Sequence, residues 1–325
     1  MRPFALWLAV LLVLAHLAAQ DAGVEPVGEE ATFTLDVRVV NVLATVKDSA
    51  GGLLSDLSRE DFTLSEDGQR QQIQYFAHQT DLPLTIGLLI DTSGSQQMLI
   101  PEERRAGMMF LQSVLRPSKD LAFLMSFDRN VELLQDYTNS LQLLERGLGE
   151  LVVEVPGGGF HPNPTGDRKQ TSTALHDALY LAADEMFRNQ VGRKAVVIIS
   201  DGYDVGSKVK LRTAIAAAHR ADIVVYTIEY VDIQFPRYLG MMPGSGAGAL
   251  KKMSEQTGGT FFRVSRRNRL AEIFRRIEEE MRSQYSLGYS PKRGLDKPGF
   301  RKIGVKVSRK GAKVQARDGY YADAI

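Results

Sequence analysis

The chain has 325 residues, 44% of them hydrophobic, enough apolar material for one large domain or two of ordinary size. Lys plus Arg number 40 against 39 for Asp plus Glu, and so even a balance gives no field that would draw in nucleic acid or an anionic membrane surface. Cysteine is absent, which excludes a disulfide framework and a thiolate zinc site.

The chain opens with MRPFALWLAVLLVLAHLAAQ. Arg2, an apolar run from Phe4 to Leu14 and small residues at Ala18 and Ala19 have the layout of a secretory signal peptide. The run is short for a spanning helix, and no later stretch reaches about 18 consecutive apolar residues. The expected mature chain is therefore secreted, periplasmic or envelope-associated, with no membrane span; an uncleaved anchor is the alternative. A polar linker, QDAGVEPVGEE, follows.

In TLDVRVVNVLATVKDSAGG apolar residues recur at every second position, at Leu35, Val37 and Val39 and again at Val42, Ala44 and Val46, which predicts strands ending in a Gly-Gly turn. EDFTLSEDGQRQQIQYFA adds a hairpin around Asp67-Gly68. From Leu84 the pattern changes: apolar strands alternate with segments of helical period, the mark of a doubly wound, mostly parallel α/β sheet covered on both faces. The predicted strands are Leu84–Asp91, Leu121–Phe127, Lys194–Ser200, Asp222–Tyr230 and Thr260–Val264, with Val131–Tyr137 as an antiparallel edge strand. Helices are predicted in PEERRAGMMFLQSVL, STALHDALYLAADEMF and KLRTAIAAAHRA, and a last one over Arg269–Arg282.

Alternation returns in the tail. Neither flanking β segment is large enough to bury a face alone, so Val37–Val46 and Ile73–Phe76 are expected to pack with Tyr285–Tyr289, Ile303–Val307 and Val314–Ala316 in one small β-sandwich. The expected division is a signal peptide 1–19, a linker 20–31, an amino-terminal β segment 32–80, the α/β domain 81–283 and a carboxyl-terminal β segment 284–325.

One stretch carries chemistry. LTIGLLIDTSGSQQM, Leu84–Met98, ends an apolar strand in a carboxylate followed by hydroxyls. An aspartic protease needs two copies of Asp-Thr-Gly to share a proton, but Ser93 interrupts the motif and no second copy exists. A phosphatase with an aspartyl nucleophile wants a second acid where Ser93 stands. A hard cation held by Asp91, Ser93 and Ser95 needs further oxygens. In an open doubly wound sheet these come from other loops at the carboxyl ends of strands. KAVVIISDGYD offers Asp201, with Gly202 allowing a sharp turn, and the loop before TALHDAL offers Thr173.

Asp91-Thr92-Ser93-Gly94-Ser95 with Thr173 and Asp201 resembles the metal-ion-dependent adhesion site of von Willebrand factor type A domains, as in integrin inserted domains. The resemblance runs from about Leu82 to Arg282. It implies that Ser93, Ser95 and Thr173 hold a divalent cation through their hydroxyls, while Asp91 and Asp201 act directly or through water. Mg is the first choice, with Mn or Ca as alternatives. A partner protein's Asp or Glu completes the coordination. Thr171-Ser172 departs from the Gly-Gly that many relatives carry before the threonine. The flanks, VKDSAGGLLSDLSREDFTLSEDGQRQQIQYF, QYSLGYSP and FRKIGVKVSRKGAKVQARDGYYA, resemble the von Willebrand factor A-related family described from Acidobacteria.

The expected function is a secreted or envelope-associated protein-binding module for adhesion or assembly, and not an enzyme. The alternatives are a structural envelope assembly protein whose cation braces loops, and a metal-assisted hydrolase, for which the sequence offers no evident His, Lys or third carboxylate as base. His161 and His176 lack partners at zinc spacing, PGGGFHPNPTG lacks the Lys-Ser/Thr of a phosphate loop, and RVSRRNRLAEIFRRIEEEM reads as a solvated helix face. Phe235, Tyr238, Met241 and Met242 are expected on the rim of the metal face.

Overall fold

The computed structural model describes residues 39–78, 82–152, 173–232, 246–293 and 297–322. The expected signal peptide and linker, Leu35 and Val37, His161, and the Phe235 to Met242 rim lie outside them. No helix among the described residues is long and apolar enough to cross a membrane.

The chain begins with β1 (Val40–Lys47), β2 (Phe62–Glu66), β3 (Gln69–Gln71) and β4 (Tyr75–His78). Asp67 and Gly68, both at positive φ, make the tight turn that joins β2 to β3 in an antiparallel hairpin. Then come β5 (Leu84–Asp91), α1 (Ile100–Val114), β6 (Leu121–Phe127), β7 (Val131–Thr138) and α2 (Leu141–Gly149). After α3 (Leu175–Leu181), which runs on into a π-helical turn over Ala182–Met186, follow β8 (Arg193–Ser200), α4 (Leu211–Arg220), β9 (Ile223–Glu229), α5 (Ala247–Thr257), β10 (Phe261–Arg263) and α6 (Leu270–Arg282). β11 (Tyr285–Tyr289), β12 (Gly299–Val307), β13 (Lys313–Ala316) and β14 (Gly319–Ala322) end the described chain.

The central sheet has the order β10-β9-β8-β5-β6-β7. It is parallel throughout except for β7, which pairs antiparallel at the edge. Every residue of β5 and β9 is buried because helices cover both faces, so these strands read as near-continuous apolar runs rather than alternating ones. On one face Leu88, Ile90, Phe110, Leu144 and Ile273 share a core; on the other Leu89, Phe123, Leu179, Ala218 and Met253 share a second. Gly87 in β5 makes room for the Phe123 ring, since a Cβ there would lie 2.4 Å from Phe123 Cζ. The chain winds from β5 to β6 in one direction and from β8 to β10 in the other. The crevice outside the carboxyl ends of β5 and β8 is thus the switch point where such sheets collect ligands.

The flanking segments fold together, as their alternation predicts. One antiparallel sheet has the order β13-β1-β11-β4 and the other β14-β12-β2-β3. Each mixes strands from both ends of the described chain. Val42, Ala44, Leu64, Leu287 and Ile303 fill the space between them. Glu66 and Arg301 meet inside this core at 3.0 Å, with side chains 2% and 1% exposed. The Glu66 carboxylate also accepts from Tyr289 Oη at 2.6 Å and Tyr320 Oη at 3.0 Å.

The sandwich sits at the amino-terminal edge of the central sheet. Lys47 Nζ reaches Glu280 on α6 at 2.7 Å, His219 at the end of α4 stacks on Phe300 with ring centroids 5.5 Å apart, and Arg220 lies 4.2 Å over the Tyr321 ring. Leu84 enters the sheet from this edge and α6 leaves it here, so the candidate ligands lie at the opposite end.

Candidate metal centre at the switch point

β5 delivers Asp91 fully buried, and β8 delivers Ser200 and Asp201 beside it. Asp91 Oδ1 accepts from the Ser93 backbone N–H at 2.9 Å, which turns the chain sharply after the strand, and Oδ2 accepts from Ser200 Oγ at 2.6 Å. Ser93 Oγ lies 3.1 Å from Ser95 Oγ, and Ser95 Oγ donates to Asp201 Oδ2 at 2.7 Å. Four of the five candidate ligands therefore come together across two strand ends.

Thr173, the fifth, is buried just before α3. Its carbonyl accepts from the Val205 and Gly206 N–H groups, each at 3.2 Å, which ties it to the loop that follows Asp201. Asp177 reinforces this tie by accepting from the Lys208 and Val209 N–H groups, and His176 Nδ1 lies 3.1 Å from Asp204. His176 thus locks a loop. Among the described residues no group of three or more His, Cys, Asp or Glu could hold a metal ion. Gly202 adopts φ +82°, and a Cβ there would lie 2.5 Å from the Gly246 carbonyl oxygen; only glycine lets the chain turn after Asp201 beneath the segment leading into α5.

Electrostatically the site is unsettled. Burial, then the neighbouring Asp201 charge, push the Asp91 carboxyl up to about 7 against the hydrogen bonds from Ser200 and Ser93. A site built of two buried carboxylates and hydroxyl oxygens offers only hard donors, which is the chemistry Mg, Mn and Ca prefer. The residues present fit such an ion.

One functional candidate escaped the sequence reading, which found no third carboxylate near the ligands. Glu103 on α1 is fully buried, neither of its carboxyl oxygens has a hydrogen-bond partner among the described residues, and burial followed by the Asp91 charge raises it well above the carboxylate range. Its neighbour Glu102 accepts from Tyr230 Oη, just after β9. A helix opening on Pro101-Glu102-Glu103 suggests solvated acids at a favourable dipole end, and only packing against the sheet turns Glu103 inward. The folded protein therefore holds the Glu103 proton to higher pH than the unfolded chain does, where the carboxyl ionises in the ordinary range. Its contribution to stability is thus complete below that range and falls as pH rises toward the raised folded value. Glu103→Met is expected to raise the unfolding free energy by about 1–3 kcal/mol at pH 4, the desolvation cost of an unpartnered polar group, and by more at pH 8, where the raised carboxyl adds a linkage penalty. Urea unfolding at the two pH values checks this; a loss of stability at pH 8 would mean that Glu103 is ionised and paired.

A von Willebrand factor type A domain model matches residues 164–276, a span that holds Thr173 and Asp201. No curated protein matches the chain. Among solved structures, a von Willebrand factor type A protein from Catenulispora acidiphila is similar with a TM-score of 0.48 at 10% identity, over 90% of this chain and 75% of that one. The vWF domain of the type V pili tip protein Mfa5 from Porphyromonas gingivalis has a TM-score of 0.45 at 14% identity, over 62% and 95%. Proximal thread matrix protein 1 from the mussel byssus, with a zinc-occupied MIDAS motif, has 0.46 at 14% identity, over 67% of this chain and half of its own. All three fall below a TM-score of 0.5. The matched residues and the doubly wound sheet that contains them identify the α/β part of this chain as a von Willebrand factor type A domain.

Proposed function

We propose that the chain is a secreted or envelope-associated protein-binding module, of the Acidobacteria-described branch of its family, and not an enzyme. Asp91, Ser93, Ser95, Thr173 and Asp201 hold a divalent cation, Mg first and Mn or Ca otherwise, and an Asp or Glu carboxylate of a partner protein completes its coordination. The observation that supports this most is the hydrogen-bonded run from Ser93 through Ser95 to Asp201 across the switch-point crevice, with Asp91 buried behind it. When bound, the cation supplies a positive centre that neutral hydroxyl ligands leave incompletely neutralised, at which an incoming carboxylate makes a charge-assisted contact. The Thr173, His176 and Asp177 contacts already tie the loops together, which favours partner binding over loop bracing as the role of the ion. The signal-like opening of the sequence supports the location.

The test is capture from an envelope extract on immobilised protein, with Mg and then with chelator. Retention of a partner in Mg, its release by chelator and its absence on an Asp201→Ala column are the expected results. Retention indifferent to chelator would favour the loop-bracing role, and metal-dependent phosphoester turnover by the free protein would establish the hydrolase.

A further inference from the structure

A cavity of about 270 Å³ opens where the sandwich meets the amino-terminal edge of the central sheet, at the end of the domain far from Asp91. Its wall includes Asn41 of β1, Arg193 and Lys194 at the start of β8, Asp222 before β9, and Arg317 between β13 and β14.

The charges on this wall do not balance. Among the described residues lining the cavity, Arg193, Lys194 and Arg317 face one carboxylate, Asp222, which Arg317 already engages. Asp120, whose charge also acts on Arg193, is held by Arg116 through Nε and Nη2, each at 2.8 Å. The hydrogen bonds of Arg193 go to neutral oxygens: the Met281 carbonyl and Gln284 Oε1, the latter at 2.7 Å. Lys194 Nζ donates to another neutral oxygen, the Gln190 carbonyl, at 3.0 Å, and burial holds its amine below the usual lysine range. Arg193 is 9% exposed, and its Nε–H, like that of Arg317, has no hydrogen-bond partner among the described residues. A buried cation is tolerated when it is paired; here buried Arg193 makes no ion pair among the described residues, the part-buried Lys194 shares Asp222 with Arg317, two guanidinium N–H groups lack acceptors, and a cavity adjoins them.

We infer that this cavity binds a small free oxyanion of phosphate chemistry, held by Arg193 and Lys194 with Arg317 at its margin. Guanidinium forks match the spacing of phosphate oxygens, and lysine adds a point charge. The volume lies below the roughly 300–1,000 Å³ of pockets for larger organic ligands, which fits a free anion better than a lipid headgroup with its chains attached. The site is independent of the proposed metal centre, and it lies between the two parts of the fold, so an occupant would bind the sandwich to the type A domain.

The test is thermal unfolding of the full chain with sodium phosphate, against sodium chloride at equal ionic strength. Saturable stabilisation by phosphate is expected, weakened at least about ten-fold in apparent affinity by Lys194→Met, since each lost charge-assisted hydrogen bond is worth about 1.5–3 kcal/mol. Arg193→Gln should behave likewise. Lys252→Met, an exposed lysine on α5, should bind as the wild type does, and Asp201→Ala should keep phosphate binding even if the metal reading fails. Stabilisation no greater than chloride gives, or undiminished in Lys194→Met, would overturn the inference. So would binding confined to phosphatidate-containing vesicles with none to free phosphate.

Discussion

Replacing Arg301 by Met is expected to lower the unfolding free energy by about 3–5 kcal/mol, the usual consequence of removing one member of a buried ion pair. Glu66 would remain in the sandwich core with only the Tyr289 and Tyr320 hydroxyls as donors, and its negative charge would lose the single cation that faces it at 3.0 Å. These four side chains come from both sheets, so the loss should loosen the whole sandwich and not just one strand. Glu66→Leu alone should also destabilise, because it leaves the buried Arg301 guanidinium with carbonyl acceptors but without its carboxylate. The double variant, which buries apolar groups at both positions, is expected to regain most of the loss. Urea unfolding of the two single variants and the double one forms the cycle. Strictly additive losses would show that the pair does not act as a unit.

Asp91→Ala is expected to cut the response to Mg by half or more. If the wild-type site is loaded at a hundred times the dissociation constant, Mg should add about 2.7 kcal/mol to its stability through preferential binding to the folded state. The variant should add no more than about 0.4–1.4 kcal/mol, because losing a direct or water-linked carboxylate is at least as severe as the 10–100-fold affinity losses that follow changes behind a metal's ligands. Thermal unfolding at pH 8, with chelator and with Mg, makes the comparison. An equal Mg effect in both proteins would remove Asp91 from the site.

The parallel core was legible because strands buried on both faces are apolar at nearly every position, and Leu84–Asp91 and Ile223–Glu229 come close to that, with Thr85, Asp91, Thr227 and Glu229 as their polar exceptions. The sandwich was legible for the opposite reason: period-two alternation in Val42, Ala44 and Val46 needs a partner face, and the tail supplied one. Two helices were missed. Leu141–Gly149 is short, and its sequence signal is modest, the Ser140 cap bonded to the Leu143 N–H and apolar residues at Leu144 and Leu148. Ala247–Thr257 buries Ser254 and Thr257 beside Leu250 and Met253, so its inner face is too polar to register as a stripe. At the site, Asp91 ends a strand, Ser93 and Ser95 lie in the turn that follows it, Asp201 follows a second strand and Thr173 precedes a helix, and topology did the rest. Glu103 was hidden because an acid in the first turns of a helix ordinarily faces water. Likewise the basic wall at Arg193, Lys194 and Arg317 is scattered along the sequence and assembles only when the sandwich docks.

The interleaving of the sandwich strands also dictates a schedule. β1 hydrogen-bonds on one side with β11 and on the other with β13, β4 with β11, and β2 with β12. The partners of the earliest strands therefore lie roughly 200 residues or more downstream. At about 5–20 residues per second of synthesis, β1, β4 and the open side of the β2–β3 hairpin wait on the order of ten seconds or longer as unpaired, aggregation-exposed edges, while the type A domain between them can already collapse around its own central strand. Such distant pairings close late and slowly, so the type A domain should act as a template that brings the two ends within reach of each other. A lesion in its central strand would then surface first as a sandwich that never assembles.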